Sequence, residues 1–290
     1  MNPAGVPVGP LRRREVLPRD GFQDLDFFLP TETKVEIITA LWSAGLRWIE
    51  VTSMVHPKWV PQFTDAEEVL ARARQIEGLQ TAVFVPNRRG LDRALAVGVD
   101  EVSLAVAGTD KLSEANFGMD RAVATAEVVR TAAAARQAGA DVSVTIGGAF
   151  GCPYEGDVAP ARVAEMARAL AGEGIPTILL ADTIGSATVA GVERLFATVA
   201  SSCPGIALGA HYHGGAAAID NVAAAVANGA SILDSAIGGY GGCPFVPHAP
   251  GNVPTEAVAA WLGQGASALA ECAVEVHRII EEARAHAQQN

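Results

Sequence analysis

Leu208-Gly209-Ala210-His211-Tyr212-His213 is an apolar run of strand type that ends in two histidines two residues apart. Its small and branched residues fit a strand buried on both faces. A helix pattern over 216–228 follows it, and a further strand over 231–236 leads into the Gly-rich loop 238–243. Upstream the same alternation recurs: strand 177–181 with helix 189–199, strand 141–146 with helix 159–172, and strand 100–107 with helix 121–139. Before these come strand 81–86 with helix 90–97 and strand 47–52 with helix 65–75. A first strand over 14–17 precedes a helix that opens at Pro30-Thr31-Glu32-Thr33, capped by Thr31 or Thr33, and runs to Gly45. About eight such units in one chain predict an α/β fold, a (β/α)8 TIM barrel, over the single domain 1–290. An open doubly wound sheet is the runner-up, but no Gly-rich dinucleotide fingerprint follows the first strand. Residues 1–11 read as a loose tail. The helical segment 255–290 lies beyond the eighth unit, where it would cover the barrel or a partner subunit.

Half of the 290 residues are hydrophobic, which is enough for a large buried core. A net charge of −11 and a pI near 5.0 argue against a nucleic-acid groove or an anionic membrane surface as partner. No apolar run approaches the ~20 residues of a membrane span. The N-terminus lacks the basic start and apolar stretch of a signal peptide. Cys152, Cys203, Cys243 and Cys272 lie far apart without C-x-x-C spacing, so neither a zinc ribbon nor a disulfide framework is suggested. The expected location is a reducing cytoplasm.

In an extended strand, residues i and i+2 point to the same face, with Cβ atoms roughly 6–7 Å apart. His211 and His213 are therefore a candidate ligand pair for one divalent ion; the alternative is two unrelated histidines at a strand end. Barrel enzymes carry their sites at the C-terminal ends of the strands. Those ends supply a carboxylate, Asp20, whose alternative role is a turn residue before Gly21. Asp20, His211 and His213 make a two-His, one-carboxylate set that leaves positions open for substrate.

The blocks around these residues are long. They include Glu15-Val16-x-Pro18-Arg19-Asp20-Gly21-x-Gln23, Glu50-Val51-Thr52-Ser53, Pro57-Lys58-Trp59-Val60-Pro61-Gln62 and Pro86-Asn87 with Gly90. Further on come Gly151-Cys152-Pro153-Tyr154-Glu155-Gly156, Asp182-Thr183-Ile184-Gly185, His211-x-His213, Gly241-Gly242-Cys243-Pro244-Phe245 and Gly251-Asn252. In this order, over about residues 14 to 263, the chain resembles the hydroxymethylglutaryl-CoA lyases, within the metal-dependent lyase and aldolase barrels. The resemblance implies Asp20, His211, His213 and Asn252 as ligands of Mg²⁺ or Mn²⁺. It implies Arg19 as the cation beside the reacting carbonyl and Cys243 as the catalytic cysteine on a mobile Gly-rich loop. Glu50 and Asp182 match acidic residues near the site, with hydrogen bonding within the barrel rim as their alternative role. Gln23, Asn87 and Lys58 are the expected substrate-binding positions, the substrate being an acyl-CoA, and a homodimer is the expected assembly.

The implied chemistry has a physical rationale. Breaking a 3-hydroxyacyl thioester between C2 and C3 needs the hydroxyl deprotonated and the enolate stabilised. A proton donor such as Cys243 must then serve C2. The chain departs from the family at His56, Val85, Gly147-Gly148 and Gly214 to Ala218, where polar residues are usual. Three of those changes fall at the ends of the third, fifth and seventh strands and predict a pocket reshaped for a bulkier or less polar acyl group. The leading expectation is a carbon–carbon lyase acting on a 3-hydroxy-3-methylglutaryl-CoA-like thioester to give acetyl-CoA and a 3-oxo acid. The alternatives are a related aldol- or Claisen-condensing enzyme and a non-catalytic paralogue.

Overall fold

A computed structural model describes residues 11–242 and 250–289. Eight parallel strands close into a barrel in chain order: β1 (Arg12–Glu15), β2 (Trp48–Ser53), β3 (Gln80–Phe84), β4 (Glu101–Ala107), β5 (Asp141–Gly147), β6 (Thr177–Asp182), β7 (Ala207–Tyr212) and β8 (Ala230–Ser235). The helices packed outside are α1 (Thr31–Ser43), α2 (Ala66–Ala73), α3 (Arg88–Val97), α4 (Asp110–Phe117), α5 (Arg121–Gln137), α6 (Pro160–Gly172), α7 (Val189–Ser202) and α8 (Ile219–Ala227). The C-terminal segment is two helices, α9 (Thr255–Leu262) and α10 (Ala266–Ala287), divided at Gly263 and Gly265, both of which adopt positive φ. None of the described helices is long and apolar enough to cross a membrane.

The main core lies between strands and helices and is built from residues such as Ile37, Val83, Val144, Leu180, Phe196 and Val258, all fully buried. Inside the barrel, Trp48, Ala82, Leu179 and Ile232 form a separate small apolar cluster. Polar side chains share the interior with them: Arg14, Glu101, Ser143 and Asp234 are all buried.

Several expectations need correction. β1 starts two residues earlier than predicted and ends at Glu15, because Pro18 opens a wide helical turn over Leu17–Gly21. Neither Thr31 nor Thr33 caps α1. Thr31 Oγ1 instead donates to Asp65 Oδ2 at 2.7 Å, and the buried Lys34 ammonium donates to Asp65 Oδ1 at 2.6 Å, which ties α1 to the start of α2. An unpredicted helix, α4, follows β4. Its start was readable, since Thr109 Oγ1 accepts from the Leu112 amide in a standard N-cap. The predicted helix 216–228 is a 3₁₀ turn, Gly215–Ala218, that runs into α8. The first ten residues of the expected tail lie outside the described residues.

Candidate active site

The site begins at the exit of β1. Glu15 is buried there, and its Oε1 accepts from the amides of Leu17 (2.9 Å) and Ile237 (3.0 Å) while Oε2 accepts from Thr255 Oγ1 at 2.6 Å. One carboxylate thus fixes the turn after β1, the exit of β8 and the start of α9. Burial pushes its pKa up to about 7 against those three hydrogen bonds. The turn it holds aims Arg19 and Asp20 over the barrel mouth, with the Asp20 amide donating to Val16 O at 2.7 Å.

Asp20 is 3% exposed. Burial disfavours its charge, but Arg19, His211 and His213 and a hydrogen bond from Asn252 outweigh that, and its pKa is lowered. Arg19 forms an ion pair with Asp20, lies 3.4 Å through Nε from Glu50 Oε2, and stacks 4.4 Å from the centroid of the Phe84 ring. Glu50 also accepts a hydrogen bond from Ser103 Oγ.

His211 ends the inward row of β7, and His213 follows two residues later on the same side. Their Nε2 atoms are 3.1 Å apart. Each ring is held from behind through Nδ1, His211 by Asp234 Oδ2 at 3.1 Å and His213 by the Pro250 carbonyl at 3.0 Å. A carbonyl only accepts, so His213 Nδ1 carries the proton and its Nε2 lone pair faces the site. Burial and the neighbouring His211 lower the His213 pKa to about 4, which keeps that ring neutral. For His211, burial opposes the charged form, but Asp234 and Asp20 raise its pKa overall.

This geometry fits a divalent cation. One ligand atom each from Asp20, His211 and His213 all lie within 4.8 Å of one another. The two Nε2 atoms face one another at 3.1 Å, a gap that a proton on His211 closes as a hydrogen bond and that two lone pairs offer to a cation. Asn252 donates through Nδ2 to Asp20 Oδ2 (2.7 Å) and Tyr240 O (2.9 Å), while its buried Oδ1 has no hydrogen-bond partner. A buried amide oxygen without a partner beside a carboxylate and two imidazoles suits a hard cation. Gly241 closes over this cluster: a Cβ there would fall against Asn252 Nδ2 and 2.9 Å from Asp20 Oδ2, so the position admits only glycine.

A cavity of about 530 Å³ opens above, with Arg19, Asp20, His211 and His213 in its wall. Toward β2, β3 and α4 its wall carries the apolar Val55, Trp59, Phe84, Phe117, Met119 and Val128 together with the polar Glu114, Asn116 and Glu127. Of the expected substrate-binding residues, Gln23 lines the cavity and donates to Asp20 Oδ1 at 3.1 Å. Asn87 is at the mouth, where its Oδ1 accepts from the Gly90 amide and caps α3. Lys58 is exposed outside the lining, its ammonium 5.6 Å from the Trp59 ring. Asp182 does not reach the cavity either. Its two oxygens accept from the amides of Ser186 (2.9 Å) and Ala187 (2.8 Å) and so shape the loop after β6. Cys243 lies outside the described residues.

The predicted remodelling of the rim is mostly displaced. Val85 is wholly buried in the outer core because side chains alternate along the chain, and Phe84 is the neighbour that faces the cavity. Gly148 and Gly214 to Ala218 do not line it; Gly147 and His56 do. The sequence reading missed Arg14, Asp234 and the α4 residues Glu114, Ala115, Asn116 and Phe117, all cavity-lining. Arg14 and Asp234 carried a readable signal, being charges set in otherwise buried strands.

Known proteins resemble this chain along most of its length. The family model described as HMGL-like matches residues 12–285. A cytoplasmic 3-hydroxy-3-methylglutaryl-CoA lyase of Rattus norvegicus is 35% identical over 269 residues, which is 92% of this chain and 77% of the relative. A 3-hydroxy-3-isohexenylglutaryl-CoA/hydroxy-methylglutaryl-CoA lyase of Pseudomonas aeruginosa is 39% identical over 249 residues, 86% of this chain and 83% of the relative. The structure of an HMG-CoA lyase from Acinetobacter baumannii in complex with coenzyme A and 3-methylmalate superposes with a TM-score of 0.86 at 31% identity, covering 93% of this chain and 91% of its own. The chain belongs to the HMGL-like family and is an enzyme of its carbon–carbon lyase type.

Proposed function

We propose that this chain breaks the C2–C3 bond of a 3-hydroxy-3-methylglutaryl-CoA-like thioester and releases acetyl-CoA and a 3-oxo acid. The observation that carries this reading is the convergence of Asp20, His211 and His213 under one cavity with Arg19 at its edge. Asp20, His211, His213 and the amide oxygen of Asn252 would hold Mg²⁺ or Mn²⁺, which when bound supplies a Lewis acid that lowers the pKa of the substrate hydroxyl.

The protein's own groups do the rest. Arg19 offers positive charge to the thioester oxygen, and Glu50 and Phe84 fix the guanidinium so that little reorganisation is needed. The Glu50 carboxylate in the cavity wall takes the hydroxyl proton as the C2–C3 electron pair passes into the thioester enolate. A thiol proton from Cys243 then goes to C2 and yields acetyl-CoA. Asp182 keeps only a supporting part, holding the loop after β6.

The apolar side chains of Val55, Trp59, Phe117, Met119 and Val128 in the cavity wall support a 3-substituent longer than methyl. A cytoplasmic location is supported by the name of the cytoplasmic rat relative. A homodimer is assigned on family resemblance, and sedimentation of the purified protein tests it. The function itself is tested by incubating purified protein and Mg²⁺ or Mn²⁺ with a panel of 3-hydroxyacyl-CoA esters. Ion-dependent release of acetyl-CoA is expected. Failure to cleave any 3-hydroxy-3-alkylglutaryl-CoA by protein that binds the ion would sink the proposal.

A further inference from the structure

Arg14, Asp234 and His211 sit on β1, β8 and β7, three neighbouring strands. They are register partners, Arg14 opposite Asp234 and Asp234 opposite His211, so all three project from one level of the same barrel face. Arg14 is 1% exposed. Its Nε and one terminal nitrogen donate to the two Asp234 oxygens at 2.9 Å each. The other terminal nitrogen crosses the interior to Glu101 Oε1 (2.8 Å) on β4 and Ser143 Oγ (2.9 Å) on β5, and Ser143 Oγ donates on to Glu101 at 2.7 Å. The outer oxygen of Asp234 accepts from His211 Nδ1 at 3.1 Å.

An arginine fork gripping both carboxylate oxygens fixes the carboxylate's plane as well as its place. A fixed carboxylate behind an imidazole in turn settles which ring nitrogen carries the proton and where the other points. We propose that Arg14 is a positioning residue: through Asp234 it locks His211 as the Nδ1–H tautomer with Nε2 aimed at the Asp20–His213 cluster. The bland alternative is an ion pair that only fills the barrel. Packing needs neither the two-pronged contact nor the register match with His211. A buried charge network of this size also gains little stability over apolar packing. The inference rests on the ion-site reading above for its consequence, though not for the tautomer itself.

The test compares wild type with Asp234→Asn, Arg14→Met and Arg14→Lys. Lysine keeps the buried positive charge beside Glu101 but cannot grip both Asp234 oxygens, so it serves if the methionine variant fails to fold. Two quantities are read: the Mn²⁺ dissociation constant, by titration of free Mn²⁺, and the His211 and His213 tautomers in ion-free protein, by ¹H–¹⁵N NMR. In the folded variants the Mn²⁺ dissociation constant should rise about 10–100-fold, the range for losing a group behind a metal-bound histidine. His211 should become a tautomer mixture while His213, held by Pro250 O, stays Nδ1–H. Arg14→Lys with unchanged affinity and tautomer would overturn the proposal. So would weakened affinity with His211 still purely Nδ1–H, since the loss would then be general. If wild type binds no Mn²⁺ while the variants still show the His211 tautomer change, the ion-site reading fails and the positioning role stands.

Discussion

Glu15 shows how one side chain can be placed for position at a cost in stability. Its carboxyl holds three groups from three elements, yet burial raises its pKa from 4.5 to about 7. Below pH 4.5 both folded and unfolded chains carry the proton. Between 4.5 and 7 the folded protein keeps a proton that the unfolded chain has released, so stability falls as pH rises through that window and levels off above it. Glutamine has no such titration. Relative to wild type, Glu15→Gln should therefore gain on the order of 3 kcal/mol between pH 4.5 and pH 8. Urea denaturation of both proteins across that range measures it; a constant difference would mean that Glu15 ionises normally in the fold. The same economy appears at Gly241, where the absent side chain is what lets the loop lie against Asp20 and Asn252.

At the scale of elements, α4 adds one wall to the cavity above the barrel mouth. Thr109 caps it, Gly118 ends it in the left-handed region, and Asp120 begins α5 by accepting from the Ala122 amide at 2.8 Å. Two helices meeting at so short a link bring Ala115, Phe117, Met119 and Val128 to one side of the cavity. If a long 3-substituent lies there, Ala115→Leu should fill its space without disturbing the helix, since both residues are good helix formers. The expected result is a kcat/KM at least ~10-fold lower for a long 3-alkyl thioester, with the methyl compound nearly unaffected, because each methylene of pocket space is worth about 1–3 kcal/mol. Equal losses on both substrates would place the 3-substituent elsewhere. The His56 and Gly147 departures remain in the cavity wall, so the sequence-based reason for a reshaped pocket survives in part.

For the molecule as a whole, the proposed ligand set is drawn from opposite ends of the chain: Asp20 from the turn after β1, His211 and His213 from β7 and just past it, and Asn252 from beyond β8. An ion binding there cross-links the point where the barrel closes. Since the unfolded chain holds no such site, the ion should stabilise the fold by about 2.7 kcal/mol at 100 times its dissociation constant. Thermal unfolding with Mg²⁺ or Mn²⁺ against excess chelator should show a rise of a few degrees that Asp20→Asn abolishes. A melting temperature indifferent to the ion would mean that the cluster is held by hydrogen bonds alone.

The barrel was legible because each strand-and-helix unit repeats a local pattern, buried strand and amphipathic helix, that neighbouring residues impose on one another. The His211/His213 pair was legible for the same local reason, since i and i+2 on a strand share a face. Asp20 could be proposed only through the rule that barrel sites gather at strand ends. What the chain could not disclose depends on register and closure. The fork from Arg14 to Asp234, the Glu15 clamp and the Asn252 bond to Asp20 join residues 220, 222 and 232 positions apart. No local preference encodes such pairings. They follow from the register in which β8 meets β1, which also brings Arg14 and Asp234 together in the cavity wall.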